Sequence, residues 1–234
     1  METKRGDIQF EELNQKLNDK VFFDEYKSVY DGYKPSLVVR FLGKILVLSG
    51  DLFYGTHPSY VKFRAIEVIA RVPYQSWSSA AYTLLTMFYS NEKKAIELSH
   101  TTNFSRAGND NETMHVVVIS HIVNMEHKKI AIFKHTIIPM LFAFVYFWTS
   151  YLLFLINKKS SYELNYIFES HALSQYSIFL DRYVDVLKSK EIKSEFIKWY
   201  GRDPKNQYEF FLSVRNDELV HRNKSIEEIE RIKK

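Results

Sequence analysis

A spaced set of acids and imidazoles constrains this chain more than any other feature. Asn111-Glu112-Thr113-Met114-His115 sets a carboxylate and an imidazole three residues apart, and Glu218-Leu219-Val220-His221 repeats that spacing near the C-terminus. On a helix, side chains so spaced leave one face a turn apart. Each copy has a glutamate upstream in apolar sequence: Glu67 between Ile66 and Val68, and Glu169 after Ile167 and Phe168. The order is therefore Glu, Glu-x-x-His, Glu, Glu-x-x-His. Buried carboxylates are costly unless paired or metal-bound, so four of them on apolar faces call for a compensating cation. Facing inward from a four-helix bundle, this inventory is the one that holds a carboxylate-bridged pair of iron or manganese ions. The expected fold is all-α, a ferritin-like four-helix bundle, with Glu67, Glu112, His115, Glu169, Glu218 and His221 as metal ligands.

Composition narrows the chemistry further. With no cysteine among 234 residues, disulfides, iron–sulfur clusters and thiolate zinc sites are excluded, and a metal must be held by carboxylate, imidazole or water. A hydrophobic content of 46% is enough for one domain with a sizeable core, and scarce glycine (7) and proline (5) favour helices. The net charge of +4 comes from scattered Lys and Arg, which argues against nucleic acid as a partner and leaves a membrane surface as the better candidate. The N-terminus has no apolar core for a secretory signal, and its acidic residues disfavour a transit peptide.

Residues 1–34 are polar with interspersed Phe and Tyr, and are expected to form an arm that clasps a larger body, such as a partner subunit. The metal-binding bundle is placed at 35–234. From Pro35 to Asp51 the chain is strongly apolar with Arg40 and Lys44 four apart, which suits either a helix lying in a lipid headgroup region or a buried core helix. Tyr60 to Tyr89 is expected as one helix kinked by Pro73, followed by a turn at 91–94. Glu67 and Glu112 lie at similar distances on either side of that turn, so an antiparallel pair would bring them level unless a loop intervenes at Gly108.

Ile137 to Ile156 carries no charge and is long enough to span a bilayer. A span there would put Glu67 and Glu112 across the membrane from Glu169 and Glu218, so a bundle helix sunk in lipid from one side is preferred. Tyr162–Leu187 and Gln207–Asn223 are expected as the remaining ligand helices, with a solvated charged tail over 225–234. A third Glu-x-x-His, Glu97 to His100, has no apolar face after it and is read as coincidence. His57, His121, His127, His135 and His171 have no place in the ligand scheme. Asp217 and Asn111, beside ligand glutamates, are either hydrogen-bond partners that orient the histidines or solvated side chains. Tyr176, two turns after Glu169, points into the bundle, where a core role is the ordinary expectation.

Taken together, these residues resemble a known family. Asn111-Glu-Thr-Met-His115 is similar to the Asn-Glu-Arg-Met-His signature of the alternative oxidases, the cyanide-insensitive ubiquinol oxidases. Glu67-Val-Ile-Ala-Arg-Val-Pro73 resembles their Glu-Thr-Val-Ala-x-Val-Pro segment, and Glu169 with Tyr176 their glutamate and following tyrosine. Arg215-Asn-Asp-Glu-Leu-Val-His221 resembles Arg-Ala-Asp-Glu-Ala-x-His, and Trp199 stands where the family carries a tryptophan. The resemblance implies two non-haem irons bridged by Glu112 and Glu218, with Glu67 and Glu169 terminal and His115 and His221 as ligands or close neighbours. It implies Tyr176 as a redox-active residue, and Asn111, Asp217 and Trp199 as supports behind the ligands. It further implies a monotopic homodimer on the matrix face of the mitochondrial inner membrane or an equivalent organelle, a bacterial cytoplasmic membrane being the alternative. There ubiquinol would be oxidised and dioxygen reduced to water without proton pumping. Thr113, Tyr74, Ser170, His171, Gln175 and the segment Arg106–Asp110 depart from the family pattern, and are expected around the substrate pocket and in support of the ligands. The rival expectations are a di-iron hydroxylase of a lipid or quinone precursor, and a non-catalytic membrane-associated helical protein with a degenerate site.

Overall fold

The computed structural model describes residues 8–233, so the first seven residues of the expected arm and the final lysine lie outside it. The described residues are helical, with no strand among them. Four long elements carry the ligands. The first is a broken helix, α4 (Tyr60–Ala70) and α5 (Val72–Phe88), begun by Ser59, whose side chain accepts from the Lys62 amide. The expected kink is a complete break at Arg71, because Pro73 lacks an amide proton and is tolerated only in the first turn of a new helix. Asn91 caps α6 (Glu92–Met125), which runs back along α4 and α5. α8 (Lys158–Lys188) and α10 (Gln207–Ile232), capped by Asn157 and Asn206, form the second antiparallel pair.

Gly108 makes no loop, and α6 passes through it unbroken. A Cβ there would sit 2.5 Å from the ring of Tyr74, so the glycine makes room for an aromatic ring against the helix. The tail is likewise helical, and its Ile226 and Ile229 are buried against Tyr74, Trp77, Phe104 and Tyr162. The solvated tail expected over 225–234 is corrected in this respect. Charge alone suggested exposure, but the spacing of the two isoleucines puts an apolar stripe on the core side.

α3 (Leu37–Tyr54) and α7 (Ile138–Ile156), the latter entered through a π-helical turn at Phe133–Ile137, flank the bundle on one side. Gly43 lets α3 approach α8, since a Cβ there would lie 2.9 Å from Ile167. Their outward residues, Phe41, Ile45, Leu48, Phe144, Trp148 and Leu152 among them, are exposed. Phe133–Ile156 is long and apolar enough to cross a membrane by length and composition, and only 22% of its apolar stretch is buried. The arm, as α1 (Ile8–Lys16) and α2 (Lys20–Ser28), packs on its own bundle: Leu17 is fully buried in a cluster with Leu173, Leu219 and Val220.

Candidate metal centre

α4, α6, α8 and α10 bring all six expected ligands to the middle of the bundle. They fall into two groups, Glu67, Glu112, His115 and Glu218, and Glu112, Glu169, Glu218 and His221, each with one ligand atom per residue within 4.8 Å of the others. Glu112 and Glu218 belong to both. Every member is buried, with exposures of 2% or less. His115 Nδ1 lies 3.4 Å from Glu67 Oε2, 3.4 Å from Glu112 Oε2 and 3.5 Å from Glu218 Oε1. His221 Nδ1 lies 2.9 Å from Glu112 Oε1 and 4.0 Å from Glu169 Oε1. These are close approaches without hydrogen-bond alignment: Glu67 Oε2, both oxygens of Glu112 and Glu218, His115 Nδ1 and both His221 nitrogens have no hydrogen-bond partner. Native interiors rarely leave buried polar atoms unsatisfied. Here the unsatisfied atoms converge from α4, α6 and α10, and Glu169 joins them from α8, which fits a pair of metal ions bound by oxygen and nitrogen donors.

The electrostatics show what the residues face without that charge. Burial first, then Glu112, pushes the Glu67 carboxyl up to about 7. Burial and the neighbouring carboxylates raise Glu218 well above the usual range, and burial is the main cause of the rise at Glu169. At Glu112 burial works upward, but the two imidazoles, His115 foremost, outweigh it and hold the group low. The cluster thus keeps protons in place of cations.

The terminal glutamates are each held by a phenol. Tyr176 donates to Glu67 Oε1, and its ring stacks on Phe63 at 4.1 Å. Tyr74 donates to Glu169 Oε1 over 2.7 Å, and Asn165 Nδ2 adds a second bond to the same oxygen over 3.0 Å. Tyr74 therefore faces the candidate ligands and packs 5.2 Å from the His221 ring, in the supporting place expected for the departures and off the cavity wall. Burial foremost, then the neighbouring carboxylates, raise both phenols well above their ordinary range, so each keeps its proton.

Asp217 Oδ2 lies 2.9 Å from His115 Nε2, so the carboxylate orients that imidazole. Asn111 does not reach a histidine; its side chain donates to Tyr200 Oη at 3.3 Å. Trp199 sits half-buried on α9 (Glu195–Tyr200), its ring 5.2 Å from Phe196. Glu97 pairs with Lys158 at 2.5 Å, and His100 is exposed, so the third Glu-x-x-His lies apart from the centre.

Sequence reasoning missed Arg202 and Asn14, which grip Asp217, and Glu11, which grips Arg202, because the two arm residues meet partners 191 and 203 residues away in the chain. Arg202 is placed by a tight helix end: Gly201, at φ +105°, takes the left-handed conformation that turns the chain after α9. Asn165 was detectable in principle, being one turn before Glu169 on the same face.

A largely apolar cavity reaches the centre from between α3 and α7. Leu46, Phe53, Ile66, Phe142 and Phe168 line it, with Glu67 and Tyr176 also on its wall. Lys62 also stands on its wall, with Nζ donating to Asp51 Oδ1 (2.9 Å), Gly55 O (2.7 Å) and Gln175 Oε1 (3.2 Å).

A helical bundle whose four ligand helices supply two Glu/His groups sharing two carboxylates has the donor inventory of the carboxylate-bridged dinuclear class. Residues 36–227 match the family model described as Alternative oxidase, and the chain belongs to that family. It is also similar to ubiquinol oxidase 4, chloroplastic/chromoplastic, of Arabidopsis thaliana, at 22% identity over 183 residues, covering 70% of this chain and 49% of that protein. The chain thus spans about half the length of the curated relative it matches. No solved structure matches the chain.

Proposed function

We propose that this protein is a non-electrogenic quinol oxidase, passing electrons from ubiquinol to dioxygen and yielding water at a two-iron centre. The observation that carries the reading is the convergence of unsatisfied carboxylate and imidazole atoms at a centre that an apolar cavity joins to an exposed apolar face. Glu67, Glu112 and His115, with Glu218, would hold one iron, and Glu112, Glu169, Glu218 and His221 the other. Held by these residues, two adjacent irons would supply electrons to dioxygen in pairs, the chemistry that favours water over superoxide.

The chain's own residues bind, orient and manage protons. The apolar cavity walls receive a quinol ring and exclude water, while Gln175, its Oε1 held by Lys62, stands beside it as a polar group for a ring oxygen. Tyr176 holds its phenolic proton on Glu67, at the junction of cavity and centre, where a proton leaving the quinol can be relayed. Asp217 keeps His115 Nε2 occupied, leaving Nδ1 for the metal.

The reading includes monotopic attachment through the outer faces of α3 and α7, supported by their exposed apolar residues and by Arg40 and Lys44 exposed on α3. A protein on one membrane face moves no proton across it. A homodimer on the matrix face of the mitochondrial inner membrane, or of a related organelle, is part of the proposal on family grounds alone, the plant relative being named as chloroplastic.

The test is oxygen uptake by membranes carrying the protein, driven by ubiquinol with and without cyanide, beside the iron content of the purified chain. Cyanide-insensitive uptake and about two irons per chain are expected. Uptake that needs an electron donor other than quinol would assign the site to the hydroxylase alternative, and a chain that takes up no iron would defeat the metal reading.

A further inference from the structure

The strongest cluster that this function does not use lies where α1 crosses α10. Arg202 donates through Nε and Nη2 to the two oxygens of Glu11 (2.8 and 2.7 Å), and through Nη1 and Nη2 to the two oxygens of Asp217 (2.6 and 2.9 Å). Asn14 Nδ2 donates to Asp217 Oδ1 at 2.6 Å and to the Ser213 carbonyl at 2.7 Å. Asp217 in turn holds His115. One residue before Glu11, the Phe10 ring lies 6.1 Å from the ring of His221. A single short helix thus backs both imidazoles, one by an aromatic contact and the other through two planar ionic groups.

This is not how a helix is fastened for stability alone. Asn14 is 4% exposed and the Arg202 side chain 9%. Burying charges in that way holds an element no better than apolar residues of the same volume would. A guanidinium paired in two planes, however, fixes the orientation of the carboxylates it grips. Asp217 so gripped has a single position, and with it the His115 ring keeps Nδ1 turned to Glu67, Glu112 and Glu218.

We propose that α1 is a strap over the metal centre, in which Glu11 and Asn14 are positioning residues that act through Arg202 and Asp217 to fix His115. The metal position on the His115 side is then held firmly only while the strap is seated. The inference rests on the two-metal reading and adds that the N-terminal segment governs one of the two positions.

The experiment uses the full chain loaded with ferrous iron, challenged with a chelator and followed by iron release and Mössbauer spectroscopy. In the double variant Glu11→Gln, Asn14→Ala, one iron per chain should leave roughly tenfold faster than in the parent, and one of the two ferrous signals should change. Glu11→Asp, which keeps the carboxylate, should restore most of the retention. Phe22→Ala loosens the apolar packing of α2 and leaves the polar contacts of α1 intact, so it should lower the melting temperature without splitting the release into two rates. Amide exchange of α1 reports whether the strap is seated in each variant. Unchanged release and spectrum in the double variant, or equal acceleration of both irons with α1 lifted, would overturn the strap. A parent chain that binds no iron would overturn the metal reading itself.

Discussion

His115 and His221 hold equivalent places in the repeated sequence pattern, yet their far sides meet different chemistry. Behind His115 stand Asp217, Arg202, Glu11 and Asn14, a chain of charged hydrogen bonds reaching the N-terminal arm. Behind His221 there are rings, Tyr74 at 5.2 Å and Phe10 at 6.1 Å, and its Nε2 has no hydrogen-bond partner. The terminal glutamates are more alike, since each receives a phenol, Tyr176 on Glu67 and Tyr74 on Glu169. The repeat therefore duplicates the ligands but not their supports. A carboxylate behind an imidazole fixes its tautomer and raises its basicity, whereas an aromatic neighbour only limits its rotation. The two halves should consequently differ in how firmly they hold a metal.

The sharpest challenge to this comparison is a residue that both halves use. Glu112→Ala should remove both irons and reduce quinol-driven oxygen uptake to background, because Glu112 belongs to both ligand groups. A variant that kept one iron would show that the halves are independent.

Next in size is the contrast between supports. Asp217→Ala leaves the Arg202 guanidinium with Glu11 as its one ionic partner and frees His115, at a cost of about 3 kcal/mol in stability and roughly 10–100-fold in iron affinity. Asn165→Ala, which removes a neutral donor from Glu169, should cost only about 1–3 kcal/mol, read by denaturant unfolding. Equal losses would erase the asymmetry.

Removing the metal exposes the cluster's charge to pH. Glu67, raised to about 7 in the folded protein against an ordinary 4.5, contributes least when ionised: the unfolded chain loses that proton first, so stability falls as pH rises from about 4.5 to 7. His115 and His221, raised in the fold by their carboxylate neighbours against the opposing effect of burial, stabilise the protein below about 6.5, and that contribution is also lost as pH rises. The metal-free chain should therefore melt lower at pH 8 than at pH 5.5, by the equivalent of about 2 kcal/mol for Glu67 alone, since the interval from 5.5 to about 7 lies inside its window. Iron should reverse the trend, since it binds the deprotonated ligands.

A smaller effect tests the Tyr74 side. Gly108→Ala should cost about 1–3 kcal/mol through its clash with the Tyr74 ring. Combined with Tyr74→Ala, much of that cost should vanish, and a double-mutant cycle that came out additive would show that the ring does not need the glycine.

The ligand spacing made the helical class and the six converging side chains legible, because a helix converts spacing directly into a shared face and the cost of burying carboxylates demands a shared purpose. The level match of Glu67 and Glu112 could be counted from the turn at Asn91, and it needed α6 to stay helical through Gly108. Other features were hidden for definite reasons. Tyr74 registered only as a departure from the family pattern, because its partners Glu169 and Gly108 lie on two other helices. The charged C-terminal stretch looked solvated because the acids and bases around it outnumber Ile226 and Ile229, which packing alone reveals as core.

The order Glu, Glu-x-x-His, Glu, Glu-x-x-His by itself determined the bundle, the donor set and the hard metals it suits, since local helix geometry and the chemistry of carboxylates require no knowledge of which helices touch. Only the tertiary structure decided that the two halves are unequal. Glu11 meets Arg202 and Asn14 meets Asp217 across roughly two hundred residues of chain, and contacts at that separation depend on packing direction, which no periodicity in the sequence encodes.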